Sequence, residues 1–235
     1  MANKKLDLEF VDTSRLAYQI HPIRTARETP AHFQKKQIAQ YGKFKFADCP
    51  GMIDYKNYGY IIPAWDDIHI LANEAGVMVH IGGTTRETKF GHARDMSVDI
   101  ASGIFTPDNI PLQPIHITNP WNIIVNNKNV SATLVGASYH SSFLDDIYVY
   151  PGIVDYGNFT SANFIFAPRR ACDITIKAGE PLLQVLPFET KAIKCGYGPA
   201  SEYQMDKVNS LYSTAKQFYR KYILRPKPTT LELEQ

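Results

Sequence analysis

From Phe44 to about Leu186 the chain is a succession of short segments rich in β-branched and aromatic residues. They are Tyr58–Pro63, Asp67–Leu71, Val77–Ile81, Ile115–Thr118, Asn122–Val125, Ser131–Val135, Asp146–Tyr150, Asn163–Phe166, Asp173–Ile176 and Leu182–Leu186. Gly, Pro, Asn and Asp stand between them, so each segment is a strand bounded by turn formers. Many short strands without intervening helices predict a sandwich, barrel or jelly roll. Aromatic residues make up 12% of the chain, with 14 Tyr and 12 Phe, and such side chains pack well on a pleated surface. A mainly β core over residues 44–190 is the expectation.

The flanks read differently. Residues 1–43 form an N-terminal extension in which Ala31 to Tyr41 has the pattern of a short helix stopped by Gly42. Near Ser201 the period changes. Ser201-Glu-Tyr-Gln204 has the form of a capping box. Val208, Leu211, Tyr212, Ala215, Phe218, Tyr219 and Tyr222 then recur at helical spacing, which predicts an amphipathic helix over 200–224. The proline-containing tail 225–235 cannot continue it.

Among 235 residues, 25 Lys+Arg against 23 Asp+Glu leave a formal charge of +2, with no clustered basic face that would point to direct nucleic-acid binding. Cys49, Cys172 and Cys195 are odd in number and far apart, so neither a disulfide framework nor a Cys-based zinc site is expected. The opening Met1-Ala-Asn-Lys-Lys-Leu-Asp7 is polar, unlike a signal peptide, and no apolar run approaches the ~20 residues of a membrane span. A reducing, cytoplasmic setting and no membrane partner are the expectation.

The chemistry-bearing residues centre on Tyr150-Pro-Gly-Ile-Val-Asp-Tyr-Gly-Asn-Phe159 and Ile174-Thr-Ile-Lys-Ala-Gly-Glu-Pro-Leu-Leu-Gln184. Gly152 and Gly157 bracket Asp155, which places it at a strand end with its carboxylate directed inward. There it can orient water as a general base or accept a bond from a sugar hydroxyl. The plainer reading is a turn aspartate bonded to its own backbone. Gln184 sits inside an apolar run. His69, His80 and His116 lie in strand-like segments, where they read either as ordinary strand residues or as ligands of a cupin-like metal site. The acid pairs Asp66-Asp67 and Asp145-Asp146 suit Mg²⁺ or acid–base work, with turn or edge roles as the alternative. Arg169-Arg170 suits phosphate or plain solvent exposure.

Pro151-Gly-Ile-Val-Asp155, a strand, and Ile174 to Gln184 resemble the dUTPase and dCTP-deaminase superfamily over about 40 residues, with Val130 to Ser142 similar to the strand leading to that family's Arg-Ser phosphate motif. The resemblance implies a distorted jelly roll or β-barrel, an aspartate that orients water and touches deoxyribose (Asp155), and an aromatic beneath the sugar (Tyr156 or Phe159). It also implies a glutamine near the triphosphate (Gln184) and a phosphate-binding serine (Ser141). Mg²⁺ would accompany a bound triphosphate, and a homo-oligomer, as a trimer, would form sites between subunits. His140 stands where that family has arginine, Leu224 to Gln235 is not glycine-rich, and Ala93 to Asp99 only loosely follows the family's early motif. An arginine's fixed bidentate donor is therefore missing, and the resemblance carries the fold further than the reaction.

Cys49-Pro-Gly-Met, Gly59 to Pro63, Asn119-Pro-Trp121, Ser131 to Ser142, Pro151 to Asp155 and Gly179 to Phe188 also resemble a family of phage and bacterial proteins, the DUF6065-like group. That implies a phage or bacterial origin and a place in the host cytoplasm or the virion. It implies no particular activity. Three functions follow: a nucleotide-binding or nucleoside-triphosphate-hydrolysing protein, a non-enzymatic viral assembly protein whose terminal arms dock on virion partners, and a cupin-like metalloenzyme.

Overall fold

The computed structural model describes residues 8–13, 20–31, 50–82, 98–100, 114–118, 120–127, 129–190, 199 and 201–207. Within these the protein is mainly β, and its strands form four sheets in which every pairing is antiparallel. No sheet among the described residues closes into a barrel.

The strands are β1 (Leu8–Asp12), β2 (Arg24–Thr25), β3 (Tyr60–Pro63), β4 (Ile68–Asn73), β5 (Gly76–Ile81), β6 (Val98–Ile100) and β7 (Ile115–Ile117). They continue as β8 (Trp121–Val125), β9 (Val130–Gly136), β10 (Ile147–Val149), β11 (Gly152–Val154), β12 (Phe164–Pro168), β13 (Cys172–Ile176) and β14 (Pro181–Glu189). β1 pairs with β8, and the larger sheets run β10-β12-β7-β6, β11-β9-β14-β3-β2 and β13-β4-β5. The longest, β14, is the centre of the five-stranded sheet, hydrogen-bonded to β9 on one side and β3 on the other.

Alternation of side chains explains how four sheets share one interior. In β4, Ile68, Ile70 and Ala72 are buried while His69 and Leu71 are half-covered. Apolar residues from all four sheets join one main cluster, with Trp121 and Ile123 from β8, Ile117 and Phe164 from the second sheet, Leu134 and Leu183 from the third, and Ile68 and Ile176 from the fourth, while Ile61 of β3 packs with Ala26 and Ala137 in a smaller one. Each fully buried Ile or Phe contributes about 1.5–3 kcal/mol relative to exposure. Phe164 stacks on Phe166 at 4.8 Å and meets Phe143 edge-on at 6.4 Å.

Besides a 3₁₀ turn at Phe143–Asp145, one described element of the core departs from the strand-only expectation. Pro50–Asn57 is an α-helix, α1, lying where the sequence reads as uniformly strand-like. Proline at its first position suits a helix start, where no backbone N–H is needed. Gly59 ends the connection to β3 with φ of +85°, and a Cβ there would come within 2.0 Å of the Val185 carbonyl oxygen. Only glycine allows the α1–β3 link to lie so close to β14.

At the far end, residues 202–207 are helical. The capping box is present: Gln204 N–H donates to Ser201 Oγ at 3.3 Å and Ser201 N–H donates to Gln204 Oε1 at 2.8 Å. The remainder of the 200–224 helix, the 225–235 tail, the Ala31–Tyr41 helix beyond Ala31, Cys49, Cys195 and most of Ala93–Asp99 lie outside the described residues.

Candidate functional site

The sequence-expected site residues fall into two groups. Gln184, His140 and Ser141 lie around the C-terminal end of α1 and the start of β14. A helix ends with carbonyls that have no partner inside it, and these residues supply donors. Gln184, fully buried on β14, donates from Nε2 to the carbonyls of Tyr55 at 2.8 Å and Tyr58 at 2.7 Å. His140 is 4% exposed and its ring lies between two more carbonyls, Nδ1 at 3.2 Å from that of Pro30 and Nε2 at 3.1 Å from that of Lys56. A neutral ring donates to one of these, an imidazolium to both. Ser141 Oγ donates to the Pro181 carbonyl across a short contact. The polar atoms that the resemblance assigns to phosphate are thus engaged with the protein's own backbone. The Gln184 Oε1 atom is buried with no partner among the described residues.

His140 also lines a cavity of about 670 Å³, together with His21, Arg24, Thr29, Ile61 and Pro181. The neighbouring turn is fixed by Gly179, with φ of +86° and a position where a Cβ would meet the His21 ring at 2.8 Å.

The second group is the turn after β11. Asp155 does follow a strand directly, but its carboxylate is not directed inward: the residue is exposed and folds back on its own loop. Oδ1 accepts the Gly157 N–H at 2.9 Å and Oδ2 accepts from Asn158 Nδ2 at 2.8 Å. This is the local hydrogen bonding that Asp favours in turns. The two aromatic candidates separate cleanly. Tyr156 is 3% exposed and belongs to the core, and burial pushes its phenol well above the usual range. Phe159 is 65% exposed. Of the two, Phe159 is the ring free to meet a ligand.

A cleft of about 640 Å³ opens beside this turn, lined among others by Tyr150, Gly152, Asn158, Phe159, Ser161 and Asn163. Such a volume suits a small molecule. Its described lining holds apolar surface and neutral polar groups and carries no charged side chain. Tyr150 and Asn163 each bring a buried polar atom, the phenol oxygen and Oδ1, with no partner among the described residues. The sequence reading missed both. An Asn just before β12, and a Tyr preceding Pro151, carry no pattern beyond ordinary strand flanks. Within one chain His140 and Phe159 thus line different cavities, while Asp155, Asn158 and Phe159 share one turn.

The remaining candidates take turn and edge roles. Asp67 accepts from Lys177 Nζ at 3.0 Å and from the Ala178 N–H at 2.9 Å. Asp146 pairs with Arg170 at 2.6 Å, and this contact holds the guanidinium above its ordinary value. Arg169 lies over the Tyr148 ring, 5.2 Å from its centre. His116 is on β7, in a different sheet from His69 and His80. Cys172 is a free, half-buried thiol, raised by burial and then by Asp146.

No protein-family model matches this chain, and no curated protein matches it. Among the described residues, no helix is long and apolar enough to cross a membrane.

Proposed function

We propose that the protein binds a small molecule of the nucleoside or nucleotide class in the cleft beside the Asp155 turn. The observation that carries this reading is the cleft itself: about 640 Å³, bordered by Phe159 with its ring exposed, at the turn that the sequence resemblance links to a sugar-binding aspartate. An exposed ring stacks a base or covers a sugar, and base–aromatic stacking is worth ~1–3 kcal/mol. Asn158 and Asn163 offer donors and acceptors for the edge of a base. Asp155 shapes the turn and offers remaining acceptor capacity to a hydroxyl.

The cleft's described lining lacks the cations a triphosphate needs. On this reading the phosphate donors, and any Mg²⁺ they require, come from a neighbouring subunit of a homo-oligomer, a trimer in the form the resemblance implies. Hydrolysis is then a property of the assembly, with Asp155 orienting water. Titration of deoxynucleosides and their triphosphates into the protein with Mg²⁺, alongside an assay for released pyrophosphate, tests both parts. Binding with turnover supports a hydrolase, binding without turnover supports a sensor, and no binding to any compound sinks the reading.

A second reading, a viral assembly protein acting in the virion or the bacterial host cytoplasm, draws on a separate observation. Edge strand β11 carries Ile153, which is 74% exposed. An edge with unpaired backbone groups and apolar side chains is a template for pairing with another chain. Recovery of the protein in purified particles supports this reading. A monomer at high concentration that is absent from particles counts against it.

A further inference from the structure

The three-stranded sheet β13-β4-β5 carries a cluster on its outer face that the Asp155 cleft does not use. In the register of β4 with β5, His69 and His80 are direct antiparallel partners, so their side chains leave the same face. The rings lie 6.2 Å apart and within 18° of parallel. On the other flank, in β13, Asp173 Oδ1 is 2.7 Å from His69 Nε2, with side chains 72% and 39% exposed respectively.

We propose that His69 and His80 form a surface site for a divalent transition-metal ion, with Asp173 as the positioning carboxylate. A carboxylate only accepts, so His69 Nε2 carries the proton and the lone pair of the neutral ring falls on Nδ1. A carboxylate–imidazole–metal chain of this kind fixes the tautomer and makes the coordinating nitrogen more basic. His80 is exposed on β5, the edge strand of its sheet among the described residues, and no hydrogen bond joins it to another described residue. Imidazole suits Zn²⁺, Ni²⁺ and Cu²⁺. With metal–nitrogen bonds of about 2.1 Å at a tetrahedral ion, the ring centres of two imidazoles stand roughly 5 Å apart. Rotation of the exposed His80 side chain covers the remaining ångström.

Among the described residues no group of three or more His, Cys, Asp or Glu side chains is arranged to hold an ion. The site therefore supplies two protein nitrogens and leaves the other positions to water. That makes it an exchangeable site of modest affinity, open to a further ligand from outside. It is distinct from the buried three-histidine centre that a cupin-like enzyme would need, since His116 lies in another sheet.

The test is calorimetric titration of Zn²⁺ and of Ni²⁺ into the full chain, without any added polyhistidine segment, at about pH 7.5. One ion per chain should bind. His69→Ala and His80→Ala should each weaken binding at least tenfold, and His116→Ala should leave it unchanged. Asp173→Asn should weaken it about tenfold, the low end of the usual cost of losing such a partner. It should also release His69 from a single tautomer in ring ¹⁵N spectra. In the unmodified protein, zinc should shift the ring resonances of His69 and His80 and leave that of His116 in place, a readout independent of any variant. Failure of both ions to bind overturns the proposal, as does equal binding by either alanine variant or a zinc-induced shift at other histidines. Unchanged affinity in Asp173→Asn removes the role given to Asp173.

Discussion

The end of α1 and the turn after β11 both hold residues that the sequence marks as site candidates, and treat them in opposite ways. Around α1, Gln184, His140 and Ser141 meet five backbone carbonyls, three of them in or beside α1 (Tyr55, Lys56 and Tyr58) and the other two at Pro30 and Pro181. At the turn, Asp155 closes its own loop and leaves Phe159 facing water over a cleft. A polar group inside an apolar run is therefore explained by what it caps, and an exposed ring by what it can meet. The first region is architecture by this criterion, and the second is where a ligand finds unengaged surface.

Substitutions separate the two regions, in order of expected effect. Gln184→Ala removes the two N–H donors that hold the Tyr55 and Tyr58 carbonyls and empties a fully buried position, so denaturant unfolding should show a loss of about 3 kcal/mol. His140→Ala should cost about 2 kcal/mol for the same reason, and ligand affinity measured well below the unfolding transition should be unchanged in both. Phe159→Ala should reverse the pattern, with stability within about 0.5 kcal/mol of the parent and nucleoside affinity reduced at least tenfold. Asp155→Ala should cost about 1 kcal/mol by opening the turn, and Asp155→Asn, which keeps an acceptor, should cost less.

The smallest effect sharpens the role of Tyr156. Its phenol is raised above the ordinary 10.0 by burial, and the hydroxyl has no partner among the described residues. A folded-state value above the unfolded one favours folding while the phenol stays neutral, so that contribution is intact below pH 10 and is lost as pH rises further. Tyr156→Phe should flatten the stability profile above about pH 10 and change stability at pH 7 by no more than about 1 kcal/mol. A large loss at pH 7 would show that the hydroxyl does have a partner.

Ten of the strands were legible in the sequence because β-branched and aromatic runs alternate between turn formers. Tyr60–Pro63, Ile68–Asn73 and Val130–Gly136 fall within three residues of their expected limits at each end. The strands that escaped are β1, β2, β6 and β11, and α1 escaped with them. β11 is three residues inside a Pro- and Gly-containing stretch, and α1 has no apolar stripe, its place being fixed by side chains from β14 and the Ala137–Ser141 turn. Sequence placed Asp155 at a strand end, and its own short-range hydrogen bonds turned the carboxylate outward. It could not separate Tyr156 from Phe159, because their positions on either side of Gly157 decide which ring enters the core only once the turn is built. The pairing of His69 with His80 depended on the β4–β5 register, which single-segment reading does not supply.

The most direct test of the cleft is calorimetric titration of one panel of deoxynucleosides and deoxynucleotides into the parent protein and into Phe159→Ala. Saturable binding by the parent to at least one compound, weakened at least tenfold in Phe159→Ala while both proteins unfold at the same denaturant concentration, is the expected result. No binding to any compound, or equal binding by both proteins, would contradict the assignment of the Asp155–Phe159 turn as the site.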